Sequence, residues 1–281
     1  MFKVPGLVSG LILGIQTTVS GGVVFHIETT FPQRGEMTPR TGTMMVEGNK
    51  LKMSMDDEGN KQPTVIYRGD REEMLLVNNG DRTWRVMDKA TMIHLGQQIT
   101  PAMEQMQKQM EEALKNMPPE RRAMMEKMFA GQGLDPGMIG GKKKMHIKKT
   151  VETQTINGYP CVKYETWQGS EKVAEHCVTD WKRVPGSQEA QGVFKDMADF
   201  SREVWQGAFK GGGGPASFFE SMGKMEGYPV LTKIFSDGTI VTETRLTGVE
   251  EKKVPVQEFD PPEGYVQKDF LPNKTPSNTG P

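Results

Sequence analysis

Residues 158–177 read GYPCVKYETWQGSEKVAEHC, from Gly158 to Cys177. Residues 162–167 and 171–176 are strand-like runs, and Gln168-Gly169-Ser170 between them is a turn. With Gly169 at the apex, Cys161 faces Cys177 and Lys163 faces Glu175. Directly opposed strand residues lie near the Cα spacing that a disulfide tolerates. An opposite-charge pair is what cross-strand neighbours favour. The spacing therefore predicts a Cys161–Cys177 disulfide tying a β-hairpin, worth about 3 kcal/mol through loop closure. A redox-active or metal-binding pair would want a C-x-x-C context, which neither cysteine has.

The opening tetrapeptide returns. Gly158-Tyr159-Pro160-Cys161 recurs as Gly227-Tyr228-Pro229-Val230, 69 residues on. The same offset carries Gly169 to Gly238, inside Asp237-Gly238, a strong hairpin turn. It carries Cys177 to Leu246. The second hairpin thus keeps the design and replaces the disulfide by an apolar pair, Val230 and Leu246. Two copies make neighbouring hairpins of one antiparallel sheet, not a solenoid.

Upstream, the chain reads as a strand meander. Val23 to Thr30 is the first strand, with Phe25, Ile27 and Thr29 on one side. Thr43 to Val46 and Lys50 to Met55 pair across Glu47-Gly48-Asn49. Leu51, Met53 and Met55 alternate with Lys52 and Ser54, the period of a half-buried strand. Thr64 to Tyr67 pairs with Glu73 to Val77, and Arg82 to Met87 returns across Asn78-Asn79-Gly80. Short connections imply antiparallel neighbours.

The period then changes. Ile99, Met103, Met106, Met110, Ala113 and Met117 share one helical face, with Thr100 as cap and Pro101 at the first helical position. Pro118-Pro119 ends that helix, and a second from Glu120 carries Met124, Met125, Met128 and Phe129. Gln188 to Phe209 reads as a helix with Val193, Met197, Phe200 and Val204 on one face. A short helix is expected around Phe218, Phe219 and Met222. Phe259-Asp260-Pro261-Pro262-Glu263-Gly264-Tyr265 closes the domain.

Residues 1–21 read as a secretory signal. Lys3 supplies the positive start, Val4 to Ile15 is an apolar run too short to span a bilayer, and Val19-Ser20-Gly21 places the cut before Gly22. No other run approaches the roughly 20 apolar residues of a membrane helix, so no stable membrane insertion is expected. The layout is a signal (1–21), a single domain (22–270) with helical insertions near 99–130 and 188–224, and a disordered tail (271–281). The product is expected to be periplasmic or secreted. The 35 Lys and Arg against 36 Asp and Glu leave a net charge of −1, which argues against an electrostatic nucleic-acid binder. Two cysteines exclude a disulfide-rich mini-fold and a Cys-only zinc site.

Several motifs coincide in order: Gly48-Asn49-Lys50-Leu51-Lys52, the Met-rich PPERRAMMEKM helix (118–128), the two Gly-Tyr-Pro hairpins and the closing Phe-x-Pro-Pro-x-Gly-Tyr. Over most of residues 22–270 the chain resembles an exported bacterial family, the domain of unknown function 4412. That family looks related to the periplasmic lipoprotein carriers and their receptors (LolA/LolB-like). The resemblance implies an α+β fold: a curved antiparallel sheet, or open half-barrel, with the Met-rich helices across its concave face. It also implies binding of an acyl chain or another apolar ligand.

Ten of the 21 methionines lie between Met92 and Met145, so what they do bears directly on function. Thioethers suit a soft apolar ligand surface and equally suit core packing; they also suit Cu(I). No catalytic set stands out. The four histidines are scattered, and GxSxG, HExxH and C-x-x-C are all missing from the sequence. The leading expectation is a non-enzymatic carrier of an apolar small molecule or acyl chain, needing no cofactor. Val65, Tyr67, Leu75, Trp84 and Val86 would form its wall, and Met103, Met106, Met110, Met124 and Met128 its lid. The alternatives are a copper-binding protein using Met103, Met106, Met110 and His94, and an envelope assembly or stress factor with a protein partner.

Overall fold

A computed structural model describes residues 21–33, 36–56, 63–115, 145–208 and 224–270. Residues 1–20 of the expected signal, the second Met-rich helix, the short helix near 218–222 and the tail from 271 lie outside the described residues. Among the described residues, no helix is long and apolar enough to cross a membrane.

The first strand lies in the middle of the sheet. Strands β1 (Val23–Gln33), β2 (Glu36–Glu47), β3 (Lys50–Met55), β4 (Thr64–Arg68), β5 (Glu73–Asn78) and β6 (Thr83–Asp88) wind outward in sequence order. Helix α1 (Lys89–Lys115) follows, and the path resumes at the far edge with β7 (Met145–Ile156). Strands β8 (Tyr159–Gln168), β9 (Glu171–Thr179), β10 (Tyr228–Ser236) and β11 (Thr239–Glu251) wind back until β11 pairs with β1. Helix α2 (Ser187–Ala208) is inserted between β9 and β10. The two-residue strand β12 (Val266–Gln267) adds to β6 in parallel; the other pairings are antiparallel, and the ladder from β12 to β7 stays open. The outer edge β7 is interrupted by a bulge between Lys149 and Thr153 with Val151 95% exposed, a device that discourages edge-to-edge pairing.

Turn chemistry places the hairpins. Asn157-Gly158 and Asp237-Gly238 both have positive φ at both positions, the two-residue turn that matches strand twist. Gly158 therefore turns the β7–β8 hairpin. Its counterpart Gly227 instead permits a close backbone approach, since a Cβ there would lie 2.0 Å from the Thr179 carbonyl oxygen. The repeat is therefore real in architecture, two hairpins side by side with Leu231 opposite Cys177. Val230 and Leu246 are both buried in the same core.

The disulfide Cys161–Cys177 is present, with Cα atoms 5.3 Å apart. Its register differs from the expected one. Gly169-Ser170 form a two-residue turn and a bulge follows between Thr166 and Trp167, so Lys163 sits opposite Cys177 and Glu165 opposite Glu175. The bridge is therefore diagonal. Its sulfurs are in the core, at 4% and 2% residue exposure. Replacing both cysteines by Ala is expected to lower stability by about 3 kcal/mol. Urea unfolding of the variant beside the parent reads this directly, and an unchanged midpoint would contradict it.

Helix α1 starts at Lys89, its cap Asp88 lying twelve residues before the expected cap Thr100. Asp88 accepts from the Thr91 N–H at 2.7 Å and serves as the cap, and Pro101 lies inside the helix instead of opening it. Helix α2 matches its expected span. Its Val193, Met197 and Val204 are buried, and Phe200 packs beside them.

Both faces of the β2–β6 half are covered. On the inner face lie α2 and the start of α1, with Met92 buried. On the outer face, a C-terminal strap lays Val254 and Phe259 over Val24, Ile66, Leu75 and Val77. The strap is pinned by Lys52 to Glu258 at 2.6 Å, Arg68 to Asp260 at 3.2 Å, and the Val254 N–H donating to Glu47 Oε2 at 2.8 Å.

Candidate apolar-ligand site

Register sorts the inner face into cross-strand rows. One row runs Val46, Leu51, Tyr67, Met74, Met87. It is buried throughout, with the Phe200 ring of α2 5.6 Å from that of Tyr67. Burial, aided by Asp196, Glu72 and Asp199, pushes the Tyr67 hydroxyl up to about 12, so it remains a neutral phenol at physiological pH. The next row runs Met44, Met53, Val65, Leu76, Arg85. Met44 is buried, but Met53, Val65, Leu76 and Arg85 are only half-buried. An apolar stripe therefore extends beyond the helix cover and ends at a guanidinium.

A hollow of about 340 Å³ opens at that end, lined by Pro63, Leu76, Val77, Asn78, Arg85 and Phe270. Its far wall comes from the chain beyond β12. The Lys268 N–H donates to the Trp84 carbonyl at 2.8 Å, and Arg85 Nε donates to the Asp269 carbonyl at 3.3 Å. These bonds bring Phe270 round the sheet edge onto the inner core.

A second, smaller hollow of about 140 Å³ lies beside the disulfide, lined in part by Gln154, Lys163, Glu175 and Lys233. Its charges are mutually satisfied: Lys163 pairs with Glu152, Lys172 with Glu175, and Lys233 with Glu243. It offers a ligand neither greasy surface nor an unpaired charge.

The expected wall does not assemble as one surface. Val65 and Tyr67 face inward, Tyr67 being sealed beneath α2. Leu75, Trp84 and Val86 face the other way and pack with Val254 and Phe259 under the strap. The reason is the period of two: Leu75 pairs with Ile66 and Val86, whereas Tyr67 pairs with Met74. Met103, Met106 and Met110 lie on α1, but their side chains are outside the described residues, as are Met124 and Met128 entirely. His94 is exposed and bonded to Gln98. Nine helical residues separate it from Met103, about 13 Å along the axis and half a turn round. Among the described residues no three His, Cys, Asp or Glu converge on a metal position. Met44, Met74, Met87, Met92 and Met197 are core residues.

Leu76, Arg85 and Phe270 form the hollow without having been singled out in the sequence. Alternation around Trp84 and Val86 marks Arg85 as the opposite face, but reads equally as a solvated one. Elsewhere, His176 is 4% exposed and held between Thr166 Oγ1 at 3.2 Å and Thr232 Oγ1 at 3.0 Å. Burial pushes it down to about 4. It is a satisfied structural histidine.

No family model matches the chain, and no curated protein matches it. The resemblance to the domain of unknown function 4412 therefore rests on the quoted motifs. Similar solved structures include PNGF-II, at 12% identity over 89% of this chain and TM-score 0.40; the chain spans 31% of the length of that protein. A LolA superfamily protein from Nitrosomonas europaea is 8% identical over 89% of this chain and 91% of its own, with TM-score 0.32. A domain of unknown function 1329 family protein from Desulfovibrio piger is 7% identical over 86% and 91%, with TM-score 0.29.

Proposed function

We propose that the protein is an exported, non-enzymatic carrier that holds one apolar chain in the hollow between Leu76, Pro63 and Phe270, along the Met53–Val65–Leu76 row. The supporting observation is the hollow itself. Its 340 Å³ lies at the lower end of the roughly 300–1,000 Å³ typical of small-molecule sites, and Leu76, Pro63 and Phe270 make it mainly apolar. An enclosed, bridged cysteine pair fits an oxidising compartment, in keeping with a periplasmic or secreted protein. The fold supplies a rigid wall and a C-terminal flap, and no chemistry is asked of either.

Fluorescence titration with N-phenyl-1-naphthylamine, an uncharged probe that brightens in apolar surroundings, tests the reading. The parent is expected to saturate. Leu76→Asp, which puts a carboxylate on the wall, is expected to weaken binding about tenfold or more with its far-UV circular dichroism intact. A parent that leaves the probe dark, or a Leu76→Asp protein that binds as well as the parent, would end the proposal.

A further inference from the structure

We infer that the chain carried in this hollow ends in a carboxylate, and that Arg85 holds it: the ligand class is a long-chain fatty acid. This rests on the carrier reading above and adds the identity of the polar end. Arg85 is the last member of the Met44–Met53–Val65–Leu76 row, and it lines the hollow directly. The lysines and arginine of β3 and β4 are committed on the outer face and away from the hollow: Lys50 to Asp70, Lys52 to Glu258, and the buried Arg68 to Glu73 and Asp260. Arg85 instead spends its Nε–H on the Asp269 backbone carbonyl. Among the described residues no carboxylate is ion-paired with it.

The geometry favours a single chain with a small anionic end. A guanidinium has five N–H donors in a planar fork that matches a carboxylate, and one bond to a carbonyl leaves most of them available. Strands lie about 4.8 Å apart, so the half-buried part of the row, from Met53 to Arg85, spans roughly 14 Å across the sheet, with the hollow at its Leu76–Arg85 end. That is the proportion of an extended acyl chain with its head at Arg85. The hollow continues one cross-strand row, Val65–Leu76–Arg85, which presents a track for one chain.

The experiment compares cis-parinaric acid with its methyl ester by fluorescence titration of the full chain at pH 8, where the acid's head group is ionised. A charge-assisted bond at this site predicts that the parent prefers the acid by about 10–100-fold. In Arg85→Gln the ratio of the two affinities is expected to fall to within about twofold, whatever the ester's own affinity. In Arg85→Lys, which keeps the charge, part of the preference is expected to survive. Equal binding of acid and ester by the parent, or an undiminished preference in Arg85→Gln, overturns the assignment of Arg85 while leaving the apolar hollow standing. Failure of both probes to bind the parent overturns the carrier reading as well.

Discussion

Replacing Phe259 by Ala is expected to destabilise the protein by about 3–5 kcal/mol. The ring is 1% exposed and is the largest side chain that the C-terminal strap presses onto the outer face of the sheet. Val24, Ile66, Leu75 and Val77 close around it, with Trp84, Val86 and Tyr265 at the margin. Truncation would leave a void among strand side chains that cannot collapse without bending the sheet. The strap's polar pins offer a contrast. Glu258 pairs with Lys52 but is 43% exposed, so Glu258→Ala is expected to cost less than about 1 kcal/mol. Equilibrium urea unfolding of the two variants separates these sizes. A Phe259→Ala loss below that of Glu258→Ala would mean that the strap is an appendage and not part of the core.

Acidification supplies the second large effect, through His176. Its folded form holds the neutral ring down to about pH 4, because burial penalises the charge, whereas an unfolded histidine protonates near 6.5. Above pH 6.5 the ring is neutral in both states and contributes no slope. Between pH 6.5 and 4 the unfolded chain takes up a proton that the folded chain refuses, so stability falls by about 1.4 kcal/mol per pH unit. Near pH 4 the loss reaches about 3 kcal/mol, and below that this group adds little more. The threonine hydroxyls on either side can rotate to accept from either ring nitrogen, so the cost is desolvation and not a lost hydrogen bond. Thermal midpoints from pH 7.5 to 4 should show this slope in the parent and a flatter one in His176→Gln. Parallel curves would place the acid sensitivity in other groups.

Strands were legible where one face differs from the other. Leu51, Met53 and Met55 alternate with Lys52 and Ser54, and that segment is β3. Asp237-Gly238 and the Gly-Tyr-Pro repeat marked two hairpins that lie side by side. Which way a side chain points was much less legible in β4 and β5. Both faces of those strands are covered, so TVIY and MLLV read as continuous apolar runs without alternation. Leu75 and Tyr67 look equivalent in such runs, and only the β4–β5 register separates them. Bulges were equally silent. One extra residue leaves no compositional mark, yet, added to the one-residue shift of the Gly169-Ser170 turn, it moved Lys163 from Glu175 to Cys177. The start of α1 was hidden by a stronger false signal, Thr100-Pro101, which resembles a helix opening and lies in the helix interior. Arg85 and Phe270 depend on a chain crossing at the sheet edge, a tertiary event that no local pattern records.

Strand β1 occupies the centre of the sheet, yet its two neighbours arrive at opposite ends of synthesis. It pairs at once with β2, whereas its other partner, β11, brings Glu251 beside Val23 only after nearly the whole chain has been made. A newly made amino-terminal half can assemble β1 through β6 and still present the apolar VVFHI segment with one row of peptide groups unanswered. Such a bare margin invites association with other chains, and closing a seam across so long a loop is slow. The seam therefore leaves completion of this sheet to the late strand β11, and copies that stop short of it keep the bare margin.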